Sequence, residues 1–572
     1  MNSISVIVLI SIAILILGYR IYGRFLTRTI DLDDTQKTPA CEINNGVDYV
    51  PAKASMLLGQ HFSAIVAAGP IVGPILAGKI FGWIPALLWI IIGSLFIGGV
   101  HDFTSLIASV RHRAASIGQI VKQYMSHTSY VLFMIFVWLA LIYVIIAFTD
   151  ITAQTFAYSD KAQGNEAFGP GVAISSMLYL AIGLCMGFAL YRFKIKLWLA
   201  TLIFLPLVFL SIWAGTSLPS GLENALLNVS IKKWEVLLLG YCMIASILPM
   251  WLLLQPRGYL GGWFLYFTMA VALMGALFGG LQIKYPAVTL NSIQTLELDK
   301  LIFPMLFITI ACGACSGFHS VVASGTTSKQ LAKESDAFHI GYGAMILEAI
   351  VAVLALATVM ALSVDDPVLK TSPNIIYASG LARYLDIVHI SRSFAFSFAL
   401  LAFATFVYDT LDVCTRLARY IIQELLGWES LAGGIAATLI TLAFPMLFLM
   451  TTEKDAYKAA WPIFGASNQM LAGLTLLAIS VWLKKTGRNA LFTIIPMFFM
   501  LFVTFTSLIL QILPVAQNWS AITAGTMPNP AAVPAMITSG VVGIVLLVLS
   551  IWLVVEACRV ISGKAMREKI VG

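Results

Sequence analysis

Charge is what this chain has least of. Asp, Glu, Lys and Arg make up 11% of its 572 residues, against about 25% in soluble domains, and the mean hydropathy is +0.92. A soluble core has no room for a chain that is 60% hydrophobic, so the sequence describes an all-α polytopic membrane protein. Within these residues no polar stretch is long enough to fold on its own, which excludes an aqueous catalytic or output domain. No GxxxxGK[ST] loop occurs, which excludes pumping through that phosphate cradle. No two histidines stand four apart, the helical spacing for a metal, so no metal or other cofactor is expected beyond a coupling ion. Cys185, Cys312 and Cys315 lie inside apolar runs and read as small packing residues. No small-residue cleavage site follows the apolar run from Ile4 to Leu17. Arg20, Arg24 and Arg28 stand there instead, so it reads as an uncleaved first span. The net charge of +7 sits in short loops between spans, where orientation signals belong, and suggests no nucleic-acid partner.

What is present is a proline-glycine interruption, Gly69-Pro70-Ile71-Val72-Gly73-Pro74, inside an apolar run over 56–80. Each proline removes a backbone donor and clashes with the preceding turn. Non-helical backbone at membrane depth survives only where protein buries it or a wet cavity receives it. The run therefore predicts a broken membrane helix, with a proline-kinked helix as the alternative. If the outer half begins near Ile71, its first N–H groups form an anion site suited to a carboxylate.

At about 20 apolar residues per span the chain holds about fifteen helices. The one over 234–256 is interrupted by Pro249 and Pro256, with Gly258, Gly261 and Gly262 beyond. Two breaks five spans apart and opposite in direction predict an inverted repeat of five helices. Residues 1–54 then form an N-terminal helix and loop, 55–427 the ten-helix core and 428–572 a four-helix scaffold. The basic loops fall on one side, which puts the N-terminus outside and the C-terminus in the cytoplasm.

Ionisable groups inside membrane helices are costly and mark function by default. His61, with Gln60 and Ser63, precedes the first break; His101-Asp102 interrupt the third span, His319 the ninth and Glu348 the tenth. Histidine changes charge near neutral pH, so His61, His101 and Asp102 are candidates for proton coupling, while His101-Asp102 also reads as a satisfied internal pair. Ser316, Ser324, Thr326 and Thr327 crowd the ninth span. They read as small packing residues, or as a sodium site if Gly69–Gly73 meets Ser324–Thr327. Asp409, Asp412, Arg416 and Arg419 share a helical face and read as an ion-paired cluster. Arg257 is either a fixed cation for an anionic substrate or a loop anchor and gate.

The blocks TPACEINNGVDYVP (38–51), QHFSAIVAAGPIVGP (60–74), VHDF (100–103), QPRGYL (255–260), CGACSGFHSVVASGTTSKQ (312–330), GYGAMILE (341–348), DTLDVCTRLARYIIQE (409–424) and WPIFGASNQMLA (461–472) resemble the carbon starvation protein A (CstA) family over nearly the whole chain. The resemblance implies a LeuT-type five-plus-five repeat. It also implies uptake of peptides or small carboxylates such as pyruvate across a bacterial inner membrane during nutrient limitation. Two positions depart from the family pattern: Gly258 stands where an acidic residue follows the arginine of QPR, and Gln60 where a second histidine is usual.

Together these readings put substrate at Gln60, His61, Ser63, Gly69, Pro70, Gly73, Gln255, Ser316 and His319. The coupling ion, a proton or sodium, falls at His61, His101, Asp102, Ser324, Thr326 and Thr327. Gates or ion pairs fall at Arg257, Asp409, Asp412 and Arg416. The expected partners are a small organic acid or short peptide and the lipid bilayer. The alternative function is a membrane-embedded nutrient sensor. An intramembrane hydrolase is disfavoured because Ser316 and His319 have no evident third group to orient the histidine.

Overall fold

Hydrocarbon offers no hydrogen bonds, so each crossing segment must satisfy its own backbone, and this chain does so with helices. The computed structural model describes residues 3–45, 49–159, 168–249, 251–289, 301–386, 389–452, 455–527 and 533–562. Among them β-pairing is limited to two isolated bridges, Ser3 with Gln282 and Ala52 with Leu331. The main helices are α1 (Ile4–Ile30), α2 (Ala54–Ile65), α3 (Gly69–Phe81), α4 (Trp83–Arg111), α5 (His127–Phe156), α6 (Phe168–Arg192), α7 (Leu197–Thr216), α8 (Ile231–Ile247), α9 (Leu254–Phe278), α10 (Phe338–Met360), α11 (Pro373–Leu385), α12 (Arg392–Leu426), α13 (Leu431–Thr451), α14 (Ala456–Lys485), α15 (Leu491–Gln517) and α16 (Val533–Ile561).

Twelve described helices are long and apolar enough to cross a membrane, against about fifteen expected. The other three expected spans take different forms. α2 and α3 make one bent pair, turning 49° at their break; α8 is only 17 residues long; and the stretch 302–327 is interrupted. Placement in the bundle follows burial. The most apolar window of α14 is 100% buried and that of α12 94%, against 22% for α1 and α7. The outer helices turn Leu9, Leu17, Leu202 and Trp213 outward, as a lipid-facing surface requires.

The first break lies one turn before its expected place. Val66–Ala68 are non-helical and α3 begins at Gly69, so Gly69–Gly73 are already helix. Pro70 falls in the first turn of α3, where a missing N–H costs nothing. The second expected break is a connection between two helices: α8 ends at Ile247 and α9 starts at Leu254, with Pro256, Arg257 and Gly258 in its opening turns. Met250 lies outside the described residues.

A second interrupted segment lies at 310–317. Helical turns over Ile302–Thr309 stop there and restart at Phe318. The two broken segments run antiparallel side by side. His61 meets Thr327, Gly69 lies on Cys312, Gly73 on Thr309, and Ile84 N donates to Ala287 O at 3.0 Å. Glycine permits this crossing. A Cβ at Gly73 would stand 2.7 Å from Thr309 O and 3.2 Å from Ile310 Cα, both backbone atoms that cannot swing aside. Gly73→Ala is accordingly expected to destabilise the protein by about 1–3 kcal/mol through overpacking. Thermal unfolding in detergent checks this; an unshifted transition would show that the segments do not touch here.

Candidate functional site

The polar centre of the bundle is assembled from three elements. α4 carries His101 and Asp102, the short helix Phe318–Val322 carries His319, and α10 carries Glu348. α10 approaches α4 closely because residue 341 is glycine: a Cβ there would stand 2.9 Å from Phe103 Cα and 3.1 Å from Asp102 O. Glu348, seven residues on, lies on the same face two turns away.

The Asp102 carboxylate accepts from both imidazoles, with His101 Nδ1 at 2.7 Å from Oδ1 and His319 Nδ1 at 2.7 Å from Oδ2. His319 Nε2 is 3.3 Å from Glu348 Oε2. All four side chains are completely buried. His61, equally buried, is joined to Thr327 Oγ1 at 2.8 Å and lies within electrostatic reach of Asp102 and His319. The Nε2 atoms of His61 and His101 and both oxygens of Glu348 have no hydrogen-bond partner. A carboxylate held between two imidazoles fixes which ring nitrogen carries each proton, and the unpaired atoms leave room for one more. Chemically, such an arrangement is able to hold a proton. His319 also has the orienting carboxylate that the hydrolase reading lacked, but Ser316 Oγ bonds Asn468 instead, so no nucleophile–base pair forms among these residues.

Other expected site residues are placed differently. Gly69, Pro70 and Gly73 pack against Cys312, Gly313 and Thr309. Ile71 N and Val72 N both donate to Ala68 O, at 3.1 and 2.8 Å, so the start of α3 does not present a row of free donors. Gly69 meets Cys312 and Thr327 meets His61, so the expected contact of Gly69–Gly73 with Ser324–Thr327 is not made. Ser324 and Thr326 spend their hydroxyls on Ser320 O (2.7 Å) and Val322 O (3.0 Å) of their own helix. Ser63 donates to Gly258 O at 3.2 Å, Gln60 is half-buried, and Gln255 accepts from the Tyr191 hydroxyl away from the centre.

Arg257 is neither a loop anchor nor a free cation. It is fully buried, with Nε 2.7 Å from Asp409 Oδ1 and Nη1 paired with Asp412. The Tyr241 hydroxyl donates to Asp412 Oδ2 at 2.7 Å, and Tyr179 donates to Arg257 O at 2.8 Å. Arg416, expected among the ion pairs, instead donates to Ala245 O and Leu248 O at 2.7 and 2.8 Å. It caps the open carbonyl end of α8, while Arg257 of α9 occupies the place against the aspartates.

Sequence reasoning placed α14 in the flanking scaffold, yet its residues hold the second break open. Asn468 Oδ1 accepts from Phe318 N at 3.0 Å, its carbonyl accepts from Gly317 N at 3.1 Å, and its Nδ2 reaches Cys312 Sγ at 3.4 Å. Trp461 donates to Thr309 O at 3.3 Å, Gln469 donates to Phe307 O at 2.5 Å, and Gly465 admits the Ile308 carbonyl. The signal was the spacing of Trp461, Gly465, Asn468 and Gln469, which share one helical face. Residues beyond 427 thus complete the centre of the core.

With this geometry in view, the comparison with known proteins is direct. The family described as carbon starvation protein CstA matches residues 3–370 and 365–507. The chain belongs to that family. A peptide transporter CstA of Helicobacter pylori is 33% identical over 90% of this chain and 82% of its own length. A pyruvate/proton symporter BtsT of Escherichia coli is 30% identical over 87% and 80%, and a peptide transporter CstA of Bacillus subtilis is 28% identical over 98% and 97%. These relatives are transporters, not enzymes. Among solved structures, a manganese transporter mutant of Eremococcus coleocola is similar at a TM-score of 0.48 and 14% identity, over 91% of this chain and 99% of that one.

Proposed function

We propose that this CstA-family chain is a secondary active transporter that imports a small carboxylate of the pyruvate type, or short peptides, by proton symport and alternating access. The observation that carries the reading is the sealed His101–Asp102–His319 chain beside the crossing of two antiparallel broken segments. Helix breaks supply the bistable element, and the imidazole–carboxylate chain supplies a charge that must be balanced before it moves. The names of the relatives supply the two substrate classes. In this reading substrate lies beside His61 and the non-helical residues 66–68, and the Arg257 cluster holds α8, α9 and α12 together as a structural ion pair. Nothing in the relatives favours the sensor alternative.

The fold proposed is an inverted repeat in which α2–α3 and 302–327 are the two interrupted members; seven crossing segments, α2–α3 through α9, precede the second of them, two more than a five-helix half of the LeuT type. In each half a helix with a π-helical turn follows, Ser94–Gly98 in α4 and Phe338–Tyr342 at the start of α10. Residues 55–427 form the core, and 428–572 form a scaffold whose α14 reaches into it. The orientation proposed has the N-terminus outside and the C-terminus in the cytoplasm of a bacterial inner membrane. In support, Arg111 and Arg488 both donate to Ile30 O, and Lys485 donates to Tyr124 O, at one basic end of the bundle. Ile4 pairs with Leu281 at the other end. Lys564, Arg567 and Lys569 lie outside the described residues.

Proteoliposomes test this. Labelled pyruvate, dipeptides and tripeptides are offered under separate pH and sodium gradients. Accumulation of one of them driven by the pH gradient alone is expected. Sodium-driven accumulation at constant pH would replace the proton, and binding without accumulation would end the transport reading.

A further inference from the structure

Resting on the symporter reading above, we propose that Glu348 is the group that takes up and releases the coupling proton, with His319 as its exchange partner. Asp102 is already committed, because each of its oxygens accepts from an imidazole Nδ1–H. With Nδ1–H so engaged, His319 offers Glu348 either a lone pair on Nε2, when neutral, or an N–H, when charged. Glu348 Oε2 stands 3.3 Å from that nitrogen.

The approach is not aligned as a hydrogen bond, since His319 Nε2 and both Glu348 oxygens are without partners, and only one proton on the pair would complete it. A carboxylic acid opposite a neutral ring matches donor to acceptor, and a carboxylate opposite an imidazolium does so with opposite charges. Removing the proton sets a carboxylate against a lone pair, and adding a second sets two donors face to face. Both mismatches push α10 and the Phe318–Val322 helix apart, so the proton count of the pair is tied to the spacing of two elements that meet at a helix break. The exchange itself is balanced: the O–H bond of Glu348 breaks as the N–H bond forms on His319 Nε2, leaving carboxylate and imidazolium, and the reverse step restores both.

The surroundings leave Glu348 free to do this. It is fully buried and neither oxygen has a hydrogen-bond partner, so an ionised carboxylate is costly unless His319 is charged. His319 on the interrupted segment meets it at 3.3 Å; Asp102 on α4, with His101 hydrogen-bonded to it, and the Cys312 thiol lie within electrostatic reach, and His61 of α2 lies within reach of Asp102. No Lys or Arg among the described residues faces it to hold the charge permanently, whereas Asp409 and Asp412 are pinned by Arg257.

The test joins two measurements on the full chain in lipid. In ligand-free protein, infrared difference spectra across a pH titration are expected to show a protonated-carboxyl band that is missing in Glu348→Gln. In transport, Glu348→Gln is expected to lose about a hundredfold in pH-driven uptake of whichever labelled substrate, pyruvate or dipeptide, the wild type accumulates. Substrate-for-substrate counterflow continues, because the amide keeps the shape but carries no exchangeable proton. If the amide variant does not fold, Glu348→Asp takes its place: the carboxyl remains on a shorter stem, and pH-driven uptake is expected to persist with a displaced pH profile. A Glu348→Gln protein with the wild-type band or wild-type pH-driven accumulation would overturn the assignment, as would Glu348→Asp with an unaltered profile. A wild type that accumulates nothing under a pH gradient defeats the symporter reading instead, and the infrared arm still decides whether Glu348 holds the proton.

Discussion

Asp102→Asn is expected to lower proton-driven uptake by about a hundredfold or more while counterflow exchange continues. Asp102 accepts from two buried imidazoles at 2.7 Å each. An amide accepts from one of them and turns its NH2 toward the other, which must then move its own proton to Nε2. For His319 that places the proton on the nitrogen facing Glu348, where the exchange requires a lone pair. The lost charge matters as well: a positioned proton-handling group is worth about 10²–10⁴-fold in rate, and removing one partner of a buried ion pair also costs about 3–5 kcal/mol of stability, so thermal unfolding is followed alongside. Initial rates in proteoliposomes against external pH, with counterflow measured in parallel, check this. An Asp102→Asn protein with the wild-type rate and profile would remove the imidazole–carboxylate chain from the mechanism.

Arg257→Met is expected to destabilise the protein by about 3–5 kcal/mol, because it leaves Asp409 and Asp412 buried without their counter-ion. The cause is separable from lost packing. Asp409→Leu and Asp412→Leu added to Arg257→Met remove the stranded charges, and buried ion clusters replaced as a whole by apolar residues of similar volume are often nearly neutral in stability. Thermal unfolding in detergent should therefore rank the wild type first, the triple variant close behind and the single variant well below. A triple variant as unstable as Arg257→Met would assign the loss to packing, and an unchanged single variant would show that the aspartates hold no charge.

Which parts of the site could be read in the chain depended on how the signal was written. Prolines and glycines at 69–74 announced a break, but its place, one turn earlier, was set by Pro70 settling into the first turn of α3 where its missing N–H is free. The interruption at 310–317 has no proline. It is held open by Asn468, Gln469 and Trp461 from a helix about 150 residues away in sequence, and a local reading cannot see it. The ionisable residues were visible one by one because each interrupts an apolar run. Their partners were not: Asp409 and Asp412 stood next to Arg416 in sequence and took Arg257 in space.

The sequence alone determined that this is a polytopic helical membrane protein and named the buried histidines and carboxylates, because hydrophobic length and the cost of charge in lipid are properties of single segments. The resemblance carried by its motifs pointed to the family to which it belongs. Tertiary structure alone decided that 54–81 crosses 302–327 in antiparallel sense, that Asp102 is shared by two histidines, and that Glu348 faces the second of them. Pairing is settled by which glycines let backbones approach and which buried donors need acceptors. Those demands act between segments far apart in the chain.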